Sequence, residues 1–458
     1  FLLLHNRKID LSLSRINRLN KDLKINFNKI QDKTITICGT NGKWSTAITI
    51  FSILEAAGYK ADLFTSPHVQ KYTERFIFES KEISEENLFN LLTEVGSINN
   101  NKPITVFELL TSAFFYYSTS KSKSDIVIAE NGLFNRYDSV SSIDHHLMKI
   151  ISSIGLDHLD WLPEGKKTVD QIVIEKTSNI KSQNIIVAEQ SESKILEKIE
   201  LNIKNNSAEK SIFSKNYSYE INKDGFLYKD ELGSLQLPSP ILPGKHQISN
   251  TACAVAAIRK LKKYNIKEEH IINGIKSIKN MRGRLEVIKK GPLKSIAPSN
   301  TIICDIAHNP AAGLSTSKYL NTLDKSKNIY LICGMMKNKI HDKFLANFKQ
   351  AKEIIAIDIP NNDSCIKKED LKKIIEKIGI KSKTSNSIHE AIQYRQVLYL
   401  QCNGGLRAQH RREALDCQRC RSIEGCRMLS GPNLDQGAAA KLKKSLEDWF
   451  GWGRLEPR

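Results

Sequence analysis

Thr34-Ile-Thr-Ile-Cys38-Gly39-Thr40-Asn41-Gly42-Lys43-Trp44-Ser45-Thr46 is the stretch that decides the fold. A short β-rich run ends in a glycine turn. An apolar run from Thr46 to Ala57 follows and is closed by Gly58. That order predicts strand, turn, helix. Backbone N–H groups at such a helix start point at an anion, and the helix dipole favours negative charge there. Lys43 would reach the β- and γ-phosphates of a nucleotide, and a following hydroxyl would reach Mg²⁺. The strict phosphate-loop pattern is not met, because Ile37 replaces its first glycine and Trp44 its Ser or Thr. An ordinary tight turn is the competing reading of this segment alone.

Working outward, Leu13, Ile16, Leu19, Leu23 and Ile25 predict a helix within 12–30. Buried-type strands are predicted at Asp125–Ala129, Lys149–Ile154 and Asn184–Ala188. Short alternating runs in 210–240 predict a small antiparallel insert, and Ile248–Leu261 a buried helix. Past Gly291 and Pro292 the strand–helix alternation resumes at Thr301–Cys304, Asn328–Cys333 and Glu353–Ile357. The expected class is α/β. A mostly parallel P-loop ATPase-type sheet domain over 1–290 precedes a smaller Rossmann-like α/β domain over 291–394.

The formal charge is +19 in 458 residues. Such a balance raises a nucleic-acid partner as a possibility. Residues 1–394 hold 49 lysines and 8 arginines, whereas 395–458 hold 3 and 9. The lysines are scattered, and no zinc finger, recognition helix or aromatic stacking motif accompanies them. The shift at 395 suggests a different coding history for an atypical tail, disordered or non-native. No run approaches the roughly 18 apolar residues of a membrane span. Nine cysteines make no disulfide scaffold, so a cytoplasmic protein is expected. Phe1 in place of Met suggests that the true N-terminus lies upstream.

Several further segments, in order, carry a resemblance. They are Leu63-Phe-Thr-Ser-Pro-His68, Glu74-Arg75, Phe107-Glu-Leu-Leu-Thr111, Glu130-Asn-Gly-Leu133 with Arg136 and Asp138, Ser153-Ile-Gly-Leu-Asp157-His158 and Glu175-Lys176. Then come Gly244-Lys-His-Gln-Ile-Ser-Asn250, Arg282-Gly-Arg284-Leu-Glu-Val287, Asp305-Ile-Ala-His-Asn-Pro310 and the Gly334–Lys339 turn. With Gly39–Lys43, over about 5–394, the chain resembles the folylpolyglutamate synthase and dihydrofolate synthase family of the Mur ligase superfamily.

The resemblance implies an ATP-dependent ligase. It would join L-glutamate to dihydropteroate, to a tetrahydrofolate or to both, through an acyl phosphate. It implies nucleotide contacts from Gly39, Thr40, Asn41, Gly42, Lys43, Ser45 and Thr46, then from His246, Gln247, Asn250, Arg284, Asp305 and His308. It implies Mg²⁺, two ions, at Ser66, Glu130, His158 and a carbamylated Lys176. Lys43, Lys176, His158 and Glu130 would be catalytic, and Thr65, Pro67, His68 and Phe107 would touch the folate. Plain alternatives stand beside these roles. They are a polar loop residue for His158, an exposed helical lysine for Lys176, a surface-turn arginine for Arg284, a helix cap for Asp305 and a core ring for Phe107. A planar guanidinium at 284 in a lysine-dominated body is itself suggestive, since it binds phosphate bidentately.

Departures from the family pattern are Trp44 for glycine, Phe134 and Asn135 for two glycines, and Val140-Ser141 for Thr-Asn. The His158-to-Lys176 spacing is longer than the commonest in the family. A catalytically impaired homologue is therefore an alternative. Another is a cell-wall amino-acid ligase of the same superfamily, which would need a nucleotide-sugar domain before Gly39. Small-molecule partners and a monomer are expected. In the tail, Cys402, Cys417, Cys420 and Cys426 raise a zinc site without a second close pair, and Lys441–Phe450 could form a short helix.

Overall fold

A computed structural model describes residues 11–278, 282–324, 326, 328–360, 362–393 and 397–401. The first sheet comprises β1 (Thr34–Cys38), β2 (Ala61–Phe64), β3 (Phe76–Phe78), β4 (Lys81–Glu82), β5 (Ile126–Glu130), β6 (His146–Ile151), β7 (Ser182–Val187) and β8 (Glu209–Ile212). Their spatial order is β4-β3-β2-β5-β1-β6-β7-β8. β2, β5, β1, β6, β7 and β8 run parallel, and β3 and β4 add an antiparallel edge. β1 is buried on both faces, which explains its unbroken apolar and Thr composition.

The helix predicted over 12–30 is shorter, Ser14–Asp22. Lys24 takes a positive φ of 54°, and two 3₁₀ turns follow. The antiparallel insert is a three-stranded meander of β9 (Tyr217–Asn222), β10 (Gly225–Asp230) and β11 (Gly233–Leu237). Its inner residues Tyr217, Phe226, Tyr228 and Leu237 join the core formed by the helices Lys43–Ala56, His246–Arg259 and Glu268–Lys276.

The second unit has β12 (Glu286–Val287), β13 (Thr301–Asp305), β14 (Tyr330–Cys333), β15 (Glu353–Ala356), β16 (Ser382–Thr384) and β17 (Val397–Gln401), in the order β12-β13-β17-β14-β15-β16. Two expectations need correction. The sheet begins at Glu286, before the expected boundary at 291. It also includes β17, inside the stretch assigned to the tail. β17 pairs parallel with β13 (Thr301 opposite Val397) and with β14 (Tyr330 opposite Leu398). A central strand needs a short run of strand-forming residues, and Val397-Leu-Tyr-Leu400 is one. The change of composition at Arg395 hid it. The cysteines from 402 onward, the Lys441–Phe450 segment and Phe1–His5 lie outside the described residues.

Candidate active site

The strand order itself builds the site. β1 lies between β5 and β6, so the carboxyl ends of β2, β5, β1 and β6 meet at one edge, where open α/β sheets bind ligands. Register puts Phe64 beside Ala129, Ile37 beside Glu130 and Cys38 beside Ile151. The residues at or just past these ends, Ser66, Glu130, Gly39 and Ser152, are therefore neighbours.

The glycine turn is required by sterics. Gly39 has φ +142°, and a Cβ there would sit 2.0 Å from Ser152 Oγ. Gly42 has φ +85°, and its Cβ would sit 2.2 Å from Asn250 Oδ1. Only glycine adopts this conformation in this space. The helix starts at Lys43 itself. Lys43 Nζ curls back to the Gly39 and Thr40 carbonyls at 3.2 and 3.3 Å, and lies 3.8 Å from Glu130 Oε1.

Glu130 is 2% exposed. Its Oε2 accepts the Ser66 N–H at 3.0 Å. Burial pushes its carboxyl above the usual range, and Lys43 opposes this only in part. The carboxylate is short of positive charge, which is what a divalent cation supplies. Among the described residues no group of three His, Cys, Asp or Glu side chains could hold a metal. A cation at Glu130 would thus complete its shell with hydroxyl, water and phosphate oxygens, which suits Mg²⁺.

Lys176 is no exposed helical lysine. It is 1% exposed on the helix Val169–Thr177. Its Nζ donates to the Gly39 carbonyl at 2.9 Å and the Leu133 carbonyl at 2.6 Å. Phe134, one of the departures, lies over it at 5.4 Å from ring centroid to Nζ. Burial, with the Lys43 charge adding, pushes its amine down to about 7. Asn135 is absorbed differently. Its Nδ2 donates to the Ser178 carbonyl at 2.8 Å, and its Oδ1 accepts from Ser141 Oγ at 3.0 Å.

His158 sits at φ +56° beside Asp157. Burial pushes its imidazole down to about 3, so it is neutral at physiological pH and keeps a lone pair. Asp157 joins the two units. It accepts from Lys339 Nζ at 2.7 Å, and its other oxygen lies 3.1 Å from His308 Nε2. Burial disfavours its charge, but the His308 hydrogen bond and the Lys339 cation hold its carboxyl well below the usual range. Beside it, Asn41 and Asn309 exchange amide hydrogen bonds at 3.1 and 2.9 Å. Asn309 also caps the helix Pro310–Leu320.

Asp157→Asn should therefore loosen the junction. Breaking one side of a buried charge pair costs about 3–5 kcal/mol. A thermal-shift measurement should give a lower unfolding midpoint at pH 7. A depressed carboxyl stabilises above its unfolded pKa and loses that stabilisation as pH falls. The gap between wild type and variant should therefore shrink below pH 3.8, the ordinary Asp value.

One cavity collects most of the expected nucleotide residues. Thr40, Asn41, Gly42, Lys43 and Ser45 line it from the loop and the helix start, and His246, Gln247 and Asn250 from the helix His246–Arg259. Arg284, Asp305 and His308 line it from the second unit, and Ser66, Pro67 and Glu130 close it. Gly39, Thr46, His158 and Lys176 do not line it. Thr46 Oγ1 is buried without a hydrogen-bond partner. Burial pushes the His246 imidazole down to about 4. Asp305 is not merely a cap, since it orders the turn into the cavity by accepting the Leu285 and Ala307 N–H groups, both at 2.7 Å.

The expected folate residues divide. Pro67 lines this cavity. Thr65 is buried and His68 is engaged elsewhere, its Nδ1 accepting from Arg75 Nε at 2.6 Å and its ring 3.9 Å from that of Tyr72. Phe107 is half-buried and packs on Gly132 and on the ring of Phe64. Sequence reasoning gave no role to Asp157, Asn309 or Lys339. The signal was present, since all three fall in the motifs Asp157-His158, Asp305–Pro310 and Gly334–Lys339.

Comparison with known proteins bears on this geometry. Residues 283–401 match the family model described as Mur ligase, glutamate ligase domain. The dihydrofolate synthase/folylpolyglutamate synthase of Escherichia coli K12 is 30% identical over 349 residues, 75% of each chain. The chain belongs to the dihydrofolate synthase/folylpolyglutamate synthase family. It is an ATP-dependent amide-forming ligase of the Mur type. A Bacillus subtilis family member is 27% identical over 342 residues, 71% of this chain and 76% of that one. The solved structure of E. coli FolC in complex with DHPP and ADP has 27% identity and a TM-score of 0.77. It covers 91% of this chain and 96% of that chain. Among the described residues no helix is long and apolar enough to cross a membrane.

Proposed function

We propose that this ligase joins the amine of L-glutamate to the carboxylate of dihydropteroate, of a reduced folate, or of both, at the expense of ATP. The observation that carries the reading is the cavity itself. A glycine loop with Lys43, a buried Glu130 and Arg284 converge there from two sheets. A carboxylate does not react with an amine unaided. One of its oxygens attacks the γ-phosphorus, the bond to ADP breaks, and an acyl phosphate forms. The glutamate amine then attacks the carbonyl carbon. A tetrahedral intermediate collapses, phosphate leaves with one original carboxylate oxygen, and the amine loses a proton.

These steps gather anions, so the chain must supply fixed positive charge. Lys43 and the first N–H groups of the helix Lys43–Ala56 hold the transferring phosphates. Arg284 holds them from the second unit. Asp305 and His308 hold nucleotide near the junction, and His246, Gln247 and Asn250 line its far wall. Mg²⁺ bound through Glu130 and Ser66 supplies charge to the phosphoryl group when present. The partly neutral Lys176 amine is a nucleophile toward CO₂, which supports its carbamylation. The carbamate and the neutral His158 would serve a second ion. Pro67 and the loop from Thr65 to His68 border the folate side, with Phe107 beneath. The enzyme is read as a cytoplasmic monomer acting on small molecules, with no nucleic-acid partner.

The test is isotopic. Substrate labelled with ¹⁸O in the reacting carboxylate should yield phosphate carrying one ¹⁸O per turnover. Phosphate without label would rule out the acyl phosphate.

A further inference from the structure

Trp44 occupies the helix start where the family has glycine, yet its indole does not turn away from the cavity. It is partly buried, packs against the core of the first unit and also lines the cavity wall. The Arg284 guanidinium lies over the indole, 5.1 Å from the ring centroid. Among the described residues Arg284 forms no ion pair. It makes one hydrogen bond, Nη1 to the Gly283 carbonyl at 3.3 Å. The carboxylates of Asp305, Glu130 and Glu74 act on it only from beyond ion-pair distance, and Asp305 accepts the Leu285 and Ala307 N–H groups.

A guanidinium has five N–H donors in one plane and a face with none. An ion pair would hold it by its edge and occupy those donors. A ring holds it by its face and leaves them available. We propose that Trp44 is a positioning residue that holds Arg284 by its face, so that the in-plane donors of the arginine stay directed at the nucleotide phosphates. The residue reaches from the loop of the first unit to an arginine of the second, so it also couples the two walls of the cavity.

This rests on the nucleotide site proposed above, and the test separates the two. Binding of the non-hydrolysable analogue AMPPNP with Mg²⁺ is measured by calorimetry on the full chain, for wild type, Trp44→Phe and Trp44→Leu. Leucine keeps apolar packing but has no π face. Trp44→Leu should weaken binding about 5-fold, the scale of one partly exposed cation–π contact. Trp44→Phe should recover most of that loss. In kinetics the leucine variant should raise KM for ATP by a similar factor, with a smaller effect on kcat. Arg284→Gln should weaken binding less in the Trp44→Leu background than in wild type, because the two residues act through one contact. Equal affinities of the leucine and phenylalanine variants, or additive effects with Arg284→Gln, would overturn the inference while leaving the nucleotide site standing. Failure of wild type to bind the analogue would overturn both.

Discussion

Lys43→Ala should lower the rate of ADP formation by about 10³-fold, the scale lost when a cation on a transferring phosphoryl group is removed. The ammonium lies at the loop, held by two of the loop's own carbonyls and 3.8 Å from Glu130. It is poised to exchange those carbonyls for phosphate oxygens. Its removal acts twice. The phosphates lose a fixed charge, and the buried Glu130 loses the nearest cation holding its proton affinity down. Metal dependence should therefore shift as well, with more Mg²⁺ needed for half-maximal rate. Lys43→Arg should rescue only in part, because a planar fork does not reproduce the compact point charge of an ammonium. Steady-state ADP release against ATP and Mg²⁺ measures both effects. A variant with the wild-type rate would remove Lys43 from the chemistry.

Lys176→Ala should reduce the rate by about 10²–10³-fold, comparable to losing one preorganised electrostatic group. The side chain is fully enclosed and its ammonium satisfies two buried carbonyls. Truncation leaves Gly39 and Leu133 without that donor, at about 1–3 kcal/mol of stability for each buried group left unsatisfied. The pH profile separates chemistry from packing. A lysine pushed down to about 7 becomes neutral as pH rises through that value. The neutral amine reacts with CO₂, so at fixed bicarbonate the wild-type rate should climb between pH 6 and 8. The alanine variant should lack that rise. ¹³C-bicarbonate should give wild type a carbamate carbon resonance by NMR that the variant lacks. A wild-type profile flat through pH 7 with no such resonance would leave Lys176 a purely structural donor.

Much of this site was legible in the sequence because strand ends and glycine turns are local. Gly39–Lys43, Glu130 and Asp305 each follow a recognisable β-rich run, and sheet topology brings such ends to one edge. What escaped was set by tertiary packing. Lys176 resembles any amphipathic-helix lysine until its helix docks behind the glycine loop. His68, expected at the folate, is buried against Arg75 and Tyr72. Phe107, expected against the folate, is half-buried and packs on Gly132. Asp157 had no visible role because its partners across the junction, His308, Asn309 and Lys339, come from the other unit more than 150 residues on. β17 was missed because a change in composition two residues earlier outweighed a four-residue strand signal. Trp44 looked like a disturbance of the loop, and only the arginine across the cavity gives it a purpose.

The central claim is that phosphoryl transfer in this cavity serves amide formation on a folate carboxylate. It is tested by measuring ADP release from purified enzyme with Mg-ATP and L-glutamate, with dihydropteroate and tetrahydrofolate supplied separately. ADP formed only when one or both folates and glutamate are present, with a product heavier by one glutamate residue, is the predicted result. ADP release indifferent to every folate and to glutamate, or none under any of these conditions, would contradict it.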